Sequence, residues 1–267
     1  MPCRGLHAIP AGPPEFPELA TVYVICGEKL NVMIDAGVTN SIMDSSFLDK
    51  LDLVILTHIH IDHIGLLPEI LDRYKNVKVM VRSGFKKFLT TDDGVKRLNE
   101  SSEKVLGDLY YIYGEFTKID PDKVVEVEGG EMIDLGDGKT LKVIYTPGHA
   151  KHHISVISED ILFTGDSGGA YFNGIVIPTT PPPLDYDNYV NSLRLQISLK
   201  PKVIGLAHGG LVSPNVLEQH LEQMLGKESL NISEEIDIGG IGGEILRKQV
   251  EVNLRGLNEA LERRRKI

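Results

Sequence analysis

Directly behind a short apolar run at residues 51–56 stands Thr57-His58-Ile59-His60-Ile61-Asp62-His63-Ile64-Gly65. No other stretch limits the fold so tightly, because it asks for a buried strand that ends abruptly in a polar loop. In an extended chain, residues two apart share a face, so His58 and His60 converge on one point. A turn of the backbone towards a following helix then swings Asp62 and His63 round to a neighbouring point. Neutral imidazole and carboxylate suit Zn, Fe or Mn. Three histidines and a carboxylate within six residues, placed after a strand, point to metal binding and away from packing.

Three later stations repeat the device. Thr146-Pro147-Gly148-His149 ends a strand on a stiff Pro and a permissive Gly, then presents a histidine. Phe163-Thr164-Gly165-Asp166 presents a carboxylate, and Leu206-Ala207-His208-Gly209-Gly210 another histidine. Each alone is commonplace. Together they gather ligands at strand ends, where a rigid scaffold can hold a site open. Five of the nine histidines belong to this set.

The rest of the chain reads as alternating α and β segments. Strand-like runs lie at 21–26, 31–35, 51–56 and 77–81, then at 123–127, 131–135, 140–145, 154–157, 161–164 and 203–206. Helices are expected at 41–50, 65–74, across most of 86–116, and at 188–199. The Pro-rich residues 9–17 read as a surface connection. From Pro214 onward, Leu217, Leu221 and Leu225, then Leu246, Val250, Leu254, Leu257 and Leu261, mark apolar helical faces. Gly239 to Gly243 reads as a flexible joint between them. Arg263-Arg264-Arg265-Lys266 reads as a solvated helix end, and Asn231-Ile232-Ser233 as an idle glycosylation pattern. Strands bundled with helices in both halves indicate an α/β (α+β) chain of two packed sheets with helices outside.

Composition narrows the function. Lys and Arg number 28 against 38 Asp and Glu, a net charge of −10, which argues against a general nucleic-acid binder. No stretch reaches the ~18 apolar residues of a membrane span. The N-terminus lacks the pattern of a secretory signal, so a cytoplasmic location is expected. Cys3 and Cys26 are too few for a disulfide scaffold or a thiolate zinc cage.

The ordered stations His58-x-His60-x-Asp62-His63, His149, Asp166 and His208 resemble the metallo-β-lactamase fold superfamily, closest to its glyoxalase II-like binuclear metallohydrolases. The resemblance spans about residues 19–210 and implies an αββα sandwich of two mixed sheets with the metals at one edge. By position, His58, His60 and His149 would hold one metal. Asp62, His63 and His208 would hold the second, and Asp166 would bridge them. Residues 1–213 would form the catalytic domain and 214–267 a helical extension packed on it or on a partner subunit, as in a homodimer. The implied cofactors are two divalent ions, zinc first, with Fe or Mn as alternatives. The implied reaction is hydrolysis of a small ester, thioester or lactone by a metal-bridging hydroxide, with Asp62 steering a proton. His153 stands where relatives carry a supporting histidine, whereas His152 stands where they often have Gly. Tyr171 is a candidate hydrogen-bond donor to a substrate oxyanion.

Competing reactions share these ligands. β-Lactamases of this fold replace the bridging aspartate, which is present here. Acyl-homoserine lactonases usually carry a tyrosine three residues after it, where this chain has Gly169. Nucleases and phosphodiesterases remain an alternative, opposed by the charge and by the 41-residue span between Asp166 and His208, too short for a large inserted domain. Persulfide dioxygenases, which use one iron on a His-His-Asp subset, are the redox alternative.

Overall fold

Strands β2 (Thr21–Cys26), β3 (Asn31–Ile34) and β4 (Leu53–Ile55) are apolar along almost their whole length because both of their faces are covered. The period of two sorts their side chains into separate cores. Tyr23, Ile25, Val32, Ile34, Leu53 and Ile55 point to one side, while Val22, Val24, Met33 and Val54 point to the other. The structure, a computed structural model, describes residues 3–46, 48–226 and 240–266, with Ile241 described by its backbone alone.

Among the described residues, β1 (Gly5–Pro10) to β4, β5 (Lys78–Arg82) and β6 (Val124–Val127) form a sheet in sequential order. Its first three strands are antiparallel and its later pairings parallel. The second sheet comprises β7 (Met132–Gly136), β8 (Lys139–Tyr145), β9 (Ile154–Ser158), β10 (Ile161–Phe172), β11 (Ile175–Ile177), β12 (Val203–His208) and β13 (Gly210–Val212). Its order is β13-β12-β10-β9-β8-β7, with β11 against the far end of β10. Leu141, Val143, Ile154, Val156 and Phe163 of this sheet close the central core against the first.

Helices cover both outer faces. On the first sheet lie α1 (Ile61–Ile64), α2 (Leu67–Arg73), α3 (Lys87–Thr90), α4 (Asp92–Leu106) and α5 (Asp108–Tyr113). On the second, α6 (Tyr186–Ser198), α7 (Asn215–Leu225) and α8 (Gly240–Arg265) pack through Tyr189, Leu193, Leu217 and Leu257 onto Leu162, Ile204 and Leu206. Helix α8 also reaches the first layer through Ile245, Leu246 and Val250. The result is the αββα sandwich.

Several local expectations change. Residues 41–46 and 48–50 carry no helix. Side chains hold that segment instead: Tyr74 Oη–H donates to Leu48 O and Arg73 to Ser45. The Pro-rich stretch is no simple surface connection, since Ile9 lies in β1 and Ala11 is completely buried. Gly240 to Gly243 open helix α8 and form no joint; a Cβ at Gly242 would sit 3.2 Å from Phe16 Cγ, so the bare backbone lets the helix start close to that ring. Arg263 donates to Leu184 O and Arg264 pairs with Asp187, so the basic end docks the helix as well as meeting solvent. A disulfide joins Cys3 to Cys26 at the edge of the first sheet, a single tie and not a scaffold. Asn231-Ile232-Ser233 and Gly239 lie outside the described residues. No described helix is long and apolar enough to cross a membrane.

Candidate metal centre

The site sits where strands of both sheets end. His58 and His60 occupy the loop after β4, and Asp62 and His63 lie in α1. His149 follows β8, and His208 is the last residue of β12. Asp166 lies within β10, where the pairing with β12 slips between Phe163 and Gly165 and again before Ala170. Gly165 makes that slip possible. Its φ is +52°, and a Cβ there would lie 2.7 Å from both His153 Nε2 and Thr57 Cβ. The Ile154 N–H donates to Thr57 O at 2.7 Å, which joins the two sheets beside the site.

Two adjacent clusters result. His58 Nε2, His60 Nδ1 and His149 Nε2 lie 2.9, 3.0 and 3.1 Å from one another. Asp62, His63 and His208 form the second, with His63 Nε2 and His208 Nε2 at 3.8 and 3.6 Å from Asp62 Oδ2. Asp166 touches both. Its Oδ2 is 3.3 Å from His149 Nε2, and its Oδ1 is 3.3 Å from both His63 Nε2 and His208 Nε2.

The outer nitrogens of the imidazoles are anchored, which fixes where their lone pairs point. His149 Nδ1–H donates to Thr179 O at 2.8 Å and His208 Nδ1–H to Leu19 O at 2.5 Å. His63 Nδ1–H donates to Asp35 Oδ2 at 2.9 Å. Thr57 Oγ1–H points at Asp35, so its oxygen accepts from His58 Nδ1–H at 3.1 Å. Each of these four rings therefore turns a bare Nε2 inward.

These residues fit divalent metal ions. Among the described residues, His63 Nε2, His208 Nε2 and Asp166 Oδ1 are buried without a hydrogen-bond partner, a costly arrangement for polar atoms. His58 Nε2 and His149 Nε2 face each other lone pair to lone pair. Nitrogens that each bind a cation at ~2.0–2.1 Å in tetrahedral geometry stand ~3.3 Å apart. The charges agree with this. Burial, then neighbouring histidines, holds His58 and His60 well below the usual imidazole range. Burial also opposes charge on His63, but Asp166, Asp62 and Asp35 override it and push its pKa well above that range. Asp166 is held well below the carboxylate range, because His208, His63 and His149 outweigh its burial.

Other residues take different places. His153 Nε2 accepts from the backbone N–H groups of Asp166 and Ser167 at 3.1 and 3.3 Å, and so holds that stretch of β10. His152 stacks on Phe85 with ring centroids 4.4 Å apart and stands beside the clusters, outside them; burial lowers its pKa to about 3. Tyr171 is not brought to the site: it pairs with Val176 and packs into the core under α6 and α7. Sequence reasoning passed over Asp35, Thr57 and Thr179 as anchors. It also passed over Tyr113, whose buried hydroxyl has no hydrogen-bond partner among the described residues and whose pKa is raised by burial, then by Asp62 and Asp166.

Comparison with known proteins agrees with the geometry. Residues 16–208 match the profile of the metallo-beta-lactamase superfamily. The chain is 70% identical over 261 residues to the metallo-beta-lactamase fold-containing protein ST1585 of Sulfurisphaera tokodaii, covering 97% of this chain and 98% of that one. The crystal structure of ST1585 superposes with a TM-score of 0.94 over 97% of this chain and 100% of that chain. More distant relatives are the probable metallo-hydrolase MJ0888 of Methanocaldococcus jannaschii, 28% identical over 64% of this chain and 78% of that protein, and the hydroxyacylglutathione hydrolase GloC of Haemophilus influenzae, 28% identical over 68% and 81%. On its matching profile, its relatives and its sandwich, the chain belongs to the metallo-β-lactamase superfamily.

Proposed function

We propose that this protein is a binuclear metal-dependent hydrolase of small esters, thioesters or lactones. The observation that carries the reading is Asp166, whose two oxygens reach two separate clusters of inward-facing donors. His58, His60 and His149 would hold one divalent ion, Asp62, His63 and His208 the other, and Asp166 both. Zinc suits this imidazole and carboxylate set, as do iron and manganese. What a pair of divalent ions supplies at such a centre is hydroxide at neutral pH, since even one zinc lowers the pKa of water from ~15.7 to ~7.

The chain's own residues do the remainder. The Asp62 carboxylate lines the adjoining cavity and is placed to take a proton from attacking water. His153 keeps Asp166 in position through the backbone. Burial of the histidines keeps bulk water from competing for the donors. The hydrolase names of two relatives support the reaction class.

The test combines metal analysis with a substrate panel of ester, thioester, lactone, phosphodiester and glutathione persulfide, run in an oxygen electrode. Close to two metal ions per chain and acid release without oxygen uptake are expected. Full activity after exhaustive chelation, turnover of phosphodiesters alone, or oxygen consumption with the persulfide would overturn the proposal.

A further inference from the structure

A cavity of about 250 Å³ opens directly over the two clusters, with His60, Asp62, His149 and Asp166 on its floor. Its walls differ sharply from that floor. Ile59, Ile61, Phe85 and Phe88 line one side. Helix α4 contributes Leu98, Ser101, Ser102 and Val105, positions that share one face of a helix. Helix α8, a neighbour of α4 through Arg255, which donates to Val105 O at 2.6 Å, adds Gln249, Val252 and Asn253, and Pro181 to Pro183 complete the lining. Among the described residues, Arg97 is the one charged side chain on this lining apart from the floor carboxylates. It lies at the exposed rim with its Nε 3.1 Å from Asp93 Oδ2, already facing an anion.

From this we propose that the cavity binds a neutral aliphatic acyl chain, so that the substrate is an ester, thioester or lactone with an apolar acyl group; the inference rests on the hydrolase reading and narrows it. Apolar walls above a polar floor place the carbonyl of such a molecule at the clusters and its alkyl chain between α4 and α8. Phosphodiesters, nucleotides and carboxylate-rich thiol carriers need several cations along the wall, and this cavity offers Arg97 alone among its described lining residues; Lys151, Arg263 and Arg264 line the neighbouring cavity beyond His60 and Pro181 to Pro183. The volume falls below the ~300–1,000 Å³ of sites for drug-sized ligands, which suits a chain of modest length.

The α8 wall is rigidly tied to the site. Thr180 N–H donates to Asn253 Oδ1 at 2.7 Å, and Thr180 Oγ1–H donates to Asn253 O at 2.8 Å. Gly256 permits the contact, because a Cβ there would come within 2.1 Å of Thr180 O. The preceding residue, Thr179, accepts the Nδ1–H of His149. One short loop therefore fixes both a cluster histidine and the helix that borders the cavity, so the distance from floor to wall is set.

The experiment measures p-nitrophenyl esters from acetate to decanoate on metal-loaded protein, alongside calorimetric titration with acetate, octanoate and glutathione. kcat/KM is expected to rise about fourfold per added methylene until the cavity is full. Octanoate is expected to bind more tightly than acetate, with a negative heat-capacity change. In Val252→Phe, with metal content checked, the break should move to shorter chains and the octanoate advantage should shrink. Ester hydrolysis with no dependence on chain length would overturn the acyl site and leave the hydrolase standing. Octanoate preference without hydrolysis of any ester would do the reverse. Tighter binding of glutathione than octanoate, or no octanoate preference, would also overturn the acyl site.

Discussion

Two kinds of buried histidine occur within a few ångströms of one another here, and they differ in what the second ring nitrogen finds. His153 donates from one nitrogen to Thr146 Oγ1 at 2.9 Å and accepts two backbone N–H groups on the other. His220 donates to Gly168 O at 2.9 Å and turns its Nε2 to the Tyr189 hydroxyl at 3.4 Å. His63 and His208 are anchored just as firmly on one side, yet their Nε2 atoms make no hydrogen bond among the described residues and face the Asp166 carboxylate at 3.3 Å. Burial is equal in the two groups, so burial cannot mark a ligand. An orphaned lone pair can. Charge separates them too: burial lowers the pKa of His153 and His220, whereas His63 and His208 lie where carboxylates outweigh burial and raise it. Carboxylates that favour a proton at a point favour any cation there.

The sharpest way to break this contrast is Asp166→Asn. The amide keeps the shape and the backbone bonds to His153, but it loses the charge and the symmetrical pair of acceptors. Activity should fall by about a thousandfold, because several kcal/mol of transition-state stabilisation depend on the metals being held. Metal content should drop with it while far-ultraviolet circular dichroism stays unchanged. Parent-like rate and metal content at equal free-metal concentration would remove Asp166 as the bridge.

Asp35→Asn tests the anchors one layer out. Asp35 accepts from Thr57 N–H at 2.7 Å and from His63 Nδ1–H at 2.9 Å. Its φ of 60° is left-handed, a region asparagine tolerates, so the backbone should survive. The new NH2 group must face either Thr57 N–H or His63 Nδ1–H, donor against donor, so either the loop that carries His58 or the His63 ring is displaced. Metal affinity should fall by about 10–100-fold, read by competition with a chromophoric chelator. An unchanged affinity would mean that the orientation of His63 does not depend on Asp35.

How much of this was legible follows from where each group signals. The seven donors stand in four short stations at or near strand ends as the sequence reads them, though Asp166 lies inside β10, and their residue types alone point to metal chemistry. Their anchors do not. Thr179 and Leu19 act through carbonyl oxygens that every residue has, and Asp35 is 22 positions before Thr57. Apolar strands such as β2 were plain as short unbroken apolar runs bounded by turn residues. The three-residue β11 and β13 are too short to stand out, and β10 runs on through Gly165, Gly168 and Gly169, well past the strand expected at 161–164.

A smaller effect should separate the satisfied histidines by pH. His220 has its pKa lowered to about 4 by burial, against a usual value near 6.5. Below pH 6.5 the unfolded chain takes up a proton that the native ring refuses until about pH 4. Stability therefore falls across that window as pH drops, by up to about 3 kcal/mol from this group, and levels off above it. In metal-free protein, His220→Gln should lower stability at pH 7 but flatten the loss between pH 7 and pH 5, measured by chemical denaturation. A slope equal to the parent's would show that His220 is not held neutral in the native state.

The smallest effect belongs to Tyr113, which carries the contrast from imidazole to phenol. Its ring is fully buried in the core under α4 and α5, and its hydroxyl has no partner among the described residues. An unpaired buried hydroxyl costs about 1–3 kcal/mol, so removing it relieves a penalty and breaks no bond. Tyr113→Phe in metal-free protein should be neutral or more stable by about 1 kcal/mol, a rise of about 2–4 °C in Tm for a chain of this length. Asp62 and Asp166 are the charges that, after burial, raise its pKa, so the hydroxyl belongs to the neighbourhood of the orphaned atoms. If it hydrogen-bonds in the metal-loaded site, the same variant should lose ester hydrolysis while gaining or keeping stability. A fall in Tm of the metal-free variant would place Tyr113 with His153 and His220, among the groups whose partners are internal to the fold.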